Sequence, residues 1–158
     1  ETPDLKSEEG YSPRDNIGIN RVSGKYGQGV EIKDTGDKLS YQIPNGFNIN
    51  SGTIEMWVKP YWNSGSNNPD YYIYSQDGDS NNYIRLRHSN GGRNLKIDFR
   101  SNGEWLNQNV LKTVTWKPNE WHHIAIVIKN NTVVFFRKKK ENEKSIIGMI
   151  PIKLAHSI

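Results

Sequence analysis

Nine side chains recur at alternate positions of three short segments. They are Glu55, Trp57 and Lys59 in 53–59, Tyr83, Arg85 and Arg87 in 82–87, and Lys96, Asp98 and Arg100 in 94–100. Aromatic rings offer flat apolar faces to the C–H face of a sugar, while charged and amide groups hydrogen-bond its hydroxyls. Planar guanidinium groups grip carboxylates or sulfates with paired donors, so an arginine-rich face suits an acidic polysaccharide. Glu55, Trp57, Lys59, Tyr83, Arg85, Arg87, Asp98 and Arg100 are therefore the candidate ligand-binding residues, expected on one outer sheet face with Lys96. The competing arrangement is a solvated face laced with cross-strand ion pairs, such as Lys96 or Arg85 with Glu55 or Asp98. An outward Trp57 argues for the first, unless a loop half-buries it.

Other constellations carry weaker chemistry. The loop at 60–72 holds rings among Gly, Ser and Asn, as recognition loops do, but Tyr61 and Trp62 are expected to fold back over a sheet edge. Asp77 and Asp79 place carboxylates at alternate positions and are the candidate calcium ligands. Asn82 and His88, however, stand where a helix–loop–helix calcium loop needs Gly and a bidentate Glu, and the segment also reads as a polar hairpin turn. His122 and His123 are adjacent and point to opposite faces of a strand, so they cannot chelate one ion together. Trp105, Trp116 and Trp121 sit at strand ends or loops and are expected to serve core and edge packing rather than as ligand platforms.

The elements that must position these groups are strands. Short alternating runs lie at 29–33, 38–43, 53–59, 71–75, 82–87, 94–100, 109–114, 121–129 and 131–136. Turn dipeptides such as Asp77-Gly78 and Asn102-Gly103 separate them, and no helical period is sustained. Ile54, Met56 and Val58, then Ile84 and Leu86, Leu95, Ile97 and Phe99, and Ile124, Ile126 and Ile128 form the opposite, apolar set that would build a core. Eleven percent aromatic residues argue for a folded chain despite a mean hydropathy of −0.82. The pattern predicts an all-β, two-sheet antiparallel jelly-roll sandwich over 17–158, preceded by a polar leader or linker at 1–16.

The net charge of +4 resides in the segment from Arg137 onward; residues 1–136 hold equal numbers of acidic and basic side chains. A neutral body gives no support to nucleic-acid binding, and a short basic run is ordinarily solvated. The chain has no cysteine, which excludes disulfides and thiolate metal sites. No stretch approaches the length of a membrane-spanning helix. The opening Glu1-Thr2-Pro3, without an initiator Met, is expected of a mature or excised segment.

Four stretches carry a resemblance. Gly24-Lys25-Tyr26-Gly27-Gln28-Gly29-Val30-Glu31-Ile32 resembles the opening strand of the laminin-G-like, or concanavalin A-like, jelly-roll superfamily. Gly52-Thr53-Ile54-Glu55-Met56-Trp57-Val58-Lys59-Pro60, Asn81-Asn82-Tyr83-Ile84-Arg85-Leu86 and Trp121-His122-His123-Ile124-Ala125 resemble later strands, in the same order. The resemblance spans roughly residues 17 to 136 and implies two curved antiparallel sheets with a lectin-like role in sugar binding or extracellular adhesion. Calcium sites occur in this superfamily, often built partly from Asp residues near the first strands, so the resemblance keeps Ca2+ a candidate cofactor and makes Asp34 and Asp37 alternative ligands. Beyond Phe136 the chain departs from the family pattern, with Arg137-Lys138-Lys139-Lys140 where a hairpin is usual. A truncated or divergent C-terminus is expected there, with 145–150 as one further strand. An open sheet edge over 132–152 would favour homo-oligomers.

Enzymatic readings lack residues. Hydrolases of this fold use an E-x-D-x-x-E spacing that is absent here, and Glu55 stands alone on its strand. A polysaccharide lyase would need Tyr83 or His123 as base beside Arg85. The expectation is a non-catalytic carbohydrate-binding or adhesion module of an extracellular or cell-surface protein. A protein-interaction or assembly module is the alternative, and a diverged lyase the third.

Overall fold

The computed structural model describes residues 10–42, 51–65, 70–89, 93–129, 132–140 and 143–151. The chain divides into two compact units, Glu1–Asn48 and Ile49–Ile158. Among the described residues every ordered element is a strand and every ladder is antiparallel, as the alternation predicts.

The first unit contains two short ribbons. β1 (Asp15–Ile17) pairs with β4 (Lys38–Ser40), and β2 (Asn20–Ser23) pairs with β3 (Gln28–Glu31). Among the described residues the first strand begins at Asp15. Asp15 is tied down by the Ser40 hydroxyl at 2.5 Å and by Lys38 at 3.2 Å, which together hold its carboxyl below the usual carboxylate range. Asp37 closes the turn before β4, accepting the backbone N–H of Lys33 at 3.0 Å and of Asp34 at 2.8 Å. Those two donors likewise lower its pKa.

The second unit holds two four-stranded sheets. One has the order β12-β11-β10-β5 and the other β6-β7-β8-β9. Their ranges are β5 Ser51–Val58, β6 Tyr71–Asp79, β7 Asn82–Ser89, β8 Asn94–Ser101, β9 Glu104–Thr113, β10 His122–Lys129, β11 Thr132–Lys140 and β12 Glu143–Pro151. The expected further strand near the C-terminus is β12, which forms a hairpin with β11. Asp77-Gly78, expected as a turn, lies within β6. Asp77 pairs with Tyr83 and Asp79 with Asn82, so Gly78 is the extra residue of a bulge.

The apolar face of each sheet is the expected one. Ile84, Leu86, Leu95, Ile97 and Phe99 from one, and Ile54, Ile124, Ile126 and Ile128 from the other, are buried. Each such side chain contributes roughly 1.5–3 kcal/mol on leaving water. The two faces meet through rings. Trp116, in the β9–β10 connection, stacks on His122 of β10 at 4.5 Å and 7°, and on His88 of β7 at 5.4 Å and 13°. Trp62 extends the stack, 3.8 Å from His88, and Tyr71 lies parallel to Trp62 at 6.3 Å. Trp62 therefore folds inward as expected, while Tyr61 stays exposed. Hydrogen bonds fix this connection: Ser64 N–H donates to the Trp116 carbonyl at 2.9 Å, and Trp116 N–H to Ser64 Oγ at 2.9 Å.

Candidate functional site: a ring and guanidinium strip on the β6–β9 sheet

Strand register decides which polar residues share a face. Arg85 pairs with Asp98, Arg87 with Lys96 and Tyr83 with Arg100, so these six lie together on the outer side of the β6–β9 sheet. β6 adds Tyr72, opposite Arg87, and Asp77, opposite Tyr83. β9 adds Trp105, opposite Arg100. Glu55, Trp57 and Lys59 are not part of this face. Glu55 pairs with Ala125 and Trp57 with His123, in the other sheet. The single face expected from alternation is thus two faces on two sheets, because alternation fixes a side but not a neighbour.

The strip across β6, β7 and β9 is built from rings and guanidinium planes. The Arg85 guanidinium carbon lies 3.9 Å from the Tyr83 ring centre and 5.7 Å from that of Tyr72. Tyr83 meets Trp105 edge-on at 5.8 Å and 82°, and Arg100 covers the Trp105 ring at 5.5 Å. Tyr83 is buried under these neighbours. Tyr72 is 58% exposed and Trp105 50% exposed, leaving large ring surfaces open to solvent.

Turn chemistry places Trp105. Asn102 (φ 50°) and Gly103 (φ 80°) form a two-residue turn with both φ values positive, the geometry that matches strand twist. Gly103 N–H donates to the Asn81 carbonyl at 3.1 Å and Asn102 N–H to Asn82 Oδ1 at 2.9 Å. Arg100 binds both turns, donating Nε to the Gly103 carbonyl at 3.0 Å and Nη1 to the Ser80 carbonyl at 3.2 Å. Trp105 thereby stands on an anchored hairpin. Expected to pack at an edge, it is instead the most exposed tryptophan among the described residues.

Carboxylates hold the other arginines. Arg85 Nε donates to Asp77 Oδ1 at 2.8 Å, and Ser75 Oγ donates to Asp77 Oδ2 at 3.0 Å. Arg87 donates Nε to Asp98 Oδ2 at 2.6 Å and Nη1 to Asp70 Oδ2 at 2.5 Å. These partners raise the pKa of both arginines. Two arginines of the face are thus paired, Arg85 with Asp77 and Arg87 with Asp98 rather than through Glu55, and the rings of Tyr72 and Trp105 are exposed.

On the opposite sheet, Trp57 lies 4.9 Å from His123 with a 48° tilt, and His123 Nε2 is 2.6 Å from Glu55 Oε1. Lys59 Nζ lies over Trp121 at 5.1 Å. Trp57 is half-buried. His122 and His123 part to opposite faces: His122 is buried in the ring stack, and His123 lies on the outer face beside Trp57. Of the two bases a lyase could use, His123 lies on the other sheet from Arg85, whereas Tyr83 lies against the Arg85 guanidinium with its ring buried.

For calcium, both oxygens of Asp77 are engaged by Arg85 and Ser75, and the side chain of Asp79 lies outside the described set. Asp34 and Asp37 belong to the turn of the first unit, and among the described residues no three His, Asp or Glu side chains converge on a common point. No described helix is long and apolar enough to cross a membrane.

No curated protein and no solved structure matches the chain. Residues 27–148, covering every strand of the polar face and most of the opposite sheet, match the laminin-G-type family model described as the concanavalin A-like lectin/glucanases superfamily, and the chain belongs to that family.

Proposed function

We propose that the protein is a non-catalytic glycan-binding module of an extracellular or cell-surface protein, and that sugars stack on the exposed rings of Tyr72 and Trp105, which Arg85 and the buried Tyr83 join into one strip. Domains of this family serve carbohydrate binding or adhesion in general and are typically non-catalytic, although the superfamily includes glucanases. One observation carries the reading. Two large rings, Tyr72 and Trp105, stay about half exposed while the groups between them are locked by rings, hydrogen bonds and ion pairs. A preorganised aromatic surface loses little entropy on binding and needs only a ligand with apolar faces and hydroxyls. Asp77 and the arginines supply acceptors and donors at its margin.

The test is a glycan array followed by calorimetry with the best ligand. Trp105→Ala and Tyr72→Ala should each weaken binding by about tenfold or more, the loss of one stacking contact of about 1.4 kcal/mol. A ligand held equally well by both variants would move the site elsewhere, with the Trp57 face the next place to look.

A second reading, self-assembly, has its own support. β12 stands at the end of its sheet order, and its segment Ser145-Ile146-Ile147-Gly148-Met149-Ile150 carries no charge to discourage edge pairing. Sedimentation over a wide concentration range tests it, and a strictly monomeric species removes it.

A further inference from the structure

We infer that the strip selects uncharged sugars over acidic ones, an inference that rests on the glycan-binding reading above. The arginine count of this face suggests the opposite, so the pairing of each guanidinium decides the matter. Arg87 is compensated twice, by Asp98 at 2.6 Å and Asp70 at 2.5 Å. Arg85 is compensated by Asp77 at 2.8 Å, and its plane is covered by Tyr83 at 3.9 Å. Arg100 is turned to two backbone carbonyls and to the Trp105 ring. Every arginine of the strip therefore already commits its Nε to an intramolecular acceptor. A uronate or sulfate that sought the side-on grip through Nε would have to displace an acceptor held in place by the fold.

The carboxylates themselves discriminate further. Asp70 and Asp77 each keep 46% of their side-chain surface in solvent, so an approaching anion meets negative charge at the margin of the rings. Asp98 lies beneath, 5% exposed, and leaves the contact with a ligand to the other two. Ionised carboxylates accept hydrogen bonds and donate none. Sugar hydroxyls satisfy that requirement, and ionised acidic groups do not. Stacking of C–H faces on Tyr72 and Trp105 is indifferent to salt. The resulting site is a ring platform edged by hydroxyl acceptors, which suits a neutral oligosaccharide or polysaccharide.

The experiment measures binding to neutral polymers (glucan, galactan, mannan, xylan) and acidic ones (polygalacturonate, alginate, heparin) at low and high salt. Between about 0.01 M and about 1 M salt the Debye length falls from ~30 Å to ~3 Å, so charge-driven binding collapses over this range. The expected result is binding to at least one neutral polymer that changes less than about twofold with salt, and acidic polymers at least about tenfold weaker. Asp70→Asn and Asp77→Asn, checked for folding by circular dichroism, should raise affinity for the acidic polymers while lowering it for the neutral one. Tighter binding of an acidic polymer, lost on adding salt and lost in Trp105→Ala, overturns the neutral preference but leaves the glycan platform standing. Absence of binding to every polymer overturns both, as the array result would already indicate.

Discussion

Trp116 lies parallel to His122, ring centres 4.5 Å apart and 7° from coplanar, and the same indole faces His88 on the other sheet at 5.4 Å. A flat ring stack thus links the two sheets of the second unit. Trp116 is 1% exposed. Trp116→Ala should cost about 3–5 kcal/mol, the range for deleting a buried large ring. Trp116→Phe, which keeps an aromatic plane, should lose less. Urea unfolding followed by circular dichroism measures both, and equal losses would mean that a retained aromatic plane contributes nothing there.

Asp98 is the buried carboxylate of the polar face. Removing it leaves Arg87 with Asp70 alone. Asp98→Ala should therefore destabilise by about 2–3 kcal/mol, below the full cost of breaking an isolated buried pair because one partner remains. Chemical denaturation reads the change; a shift under about 0.5 kcal/mol would show the pair to be no better than a surface one.

Arg85→Lys separates charge from shape. Lysine keeps the positive charge and the neighbourhood of Asp77 but loses the plane that lies on Tyr83 and the fork that reaches the carboxylate. Glycan affinity should fall by about tenfold while stability changes by less than about 1 kcal/mol. Calorimetry and thermal melting are the paired measurements.

Asp37 predicts a pH dependence in the first unit. Two backbone N–H groups bond its ionised form and depress its folded pKa. A carboxyl depressed on folding contributes stability that is fully present above its unfolded pKa, about 3.9, and is lost as pH falls through the lower folded value. The β3–β4 turn should therefore hold through mildly acidic pH and loosen only below the ordinary carboxylate range. Asp37→Asn should weaken the turn at neutral pH and flatten this acid dependence, as followed by NMR of the Lys33 and Asp34 amides. An unshifted Asp37 titration would refute the assignment.

Gly18 is pressed against the same carboxylate. A Cβ at this position would lie 1.8 Å from Asp37 Oδ1, and the φ of +65° disfavours any side chain. Gly18→Ala should cost about 1 kcal/mol or more through backbone conformation alone, with the clash in addition. Amide exchange in β1 and β4 should accelerate accordingly.

Alternation in 82–87, 94–100 and 121–129 correctly separates Ile84, Ile97 and Ile126 from their polar neighbours, since the side a residue faces follows from period two alone. The register of Trp105 was also legible in principle. A two-residue turn at Asn102-Gly103 puts Ser101 opposite Glu104 and so brings Trp105 to Arg100, a step that requires counting across the turn. Tyr72 was harder, because the bulge between Tyr72 and Tyr74 shifts the parity of β6.

Local period, turn chemistry and ordered motifs thus carry the all-β class, the polar and apolar side of most strands, the divergence of His122 from His123 and the family of the chain. All of these can be read without knowing which strand lies beside which. The choice of neighbours belongs to the tertiary fold. β5 pairs with β10, far along the chain, and not with β7 or β8, so Glu55, Trp57 and Lys59 part company with Tyr83, Arg85 and Arg100. Non-local strand order depends on how two apolar faces close over each other, and no local pattern encodes it. The pairing of Arg87 with both Asp98 and Asp70 is likewise a product of that order, and it meets the charge of an arginine that the sequence leaves open.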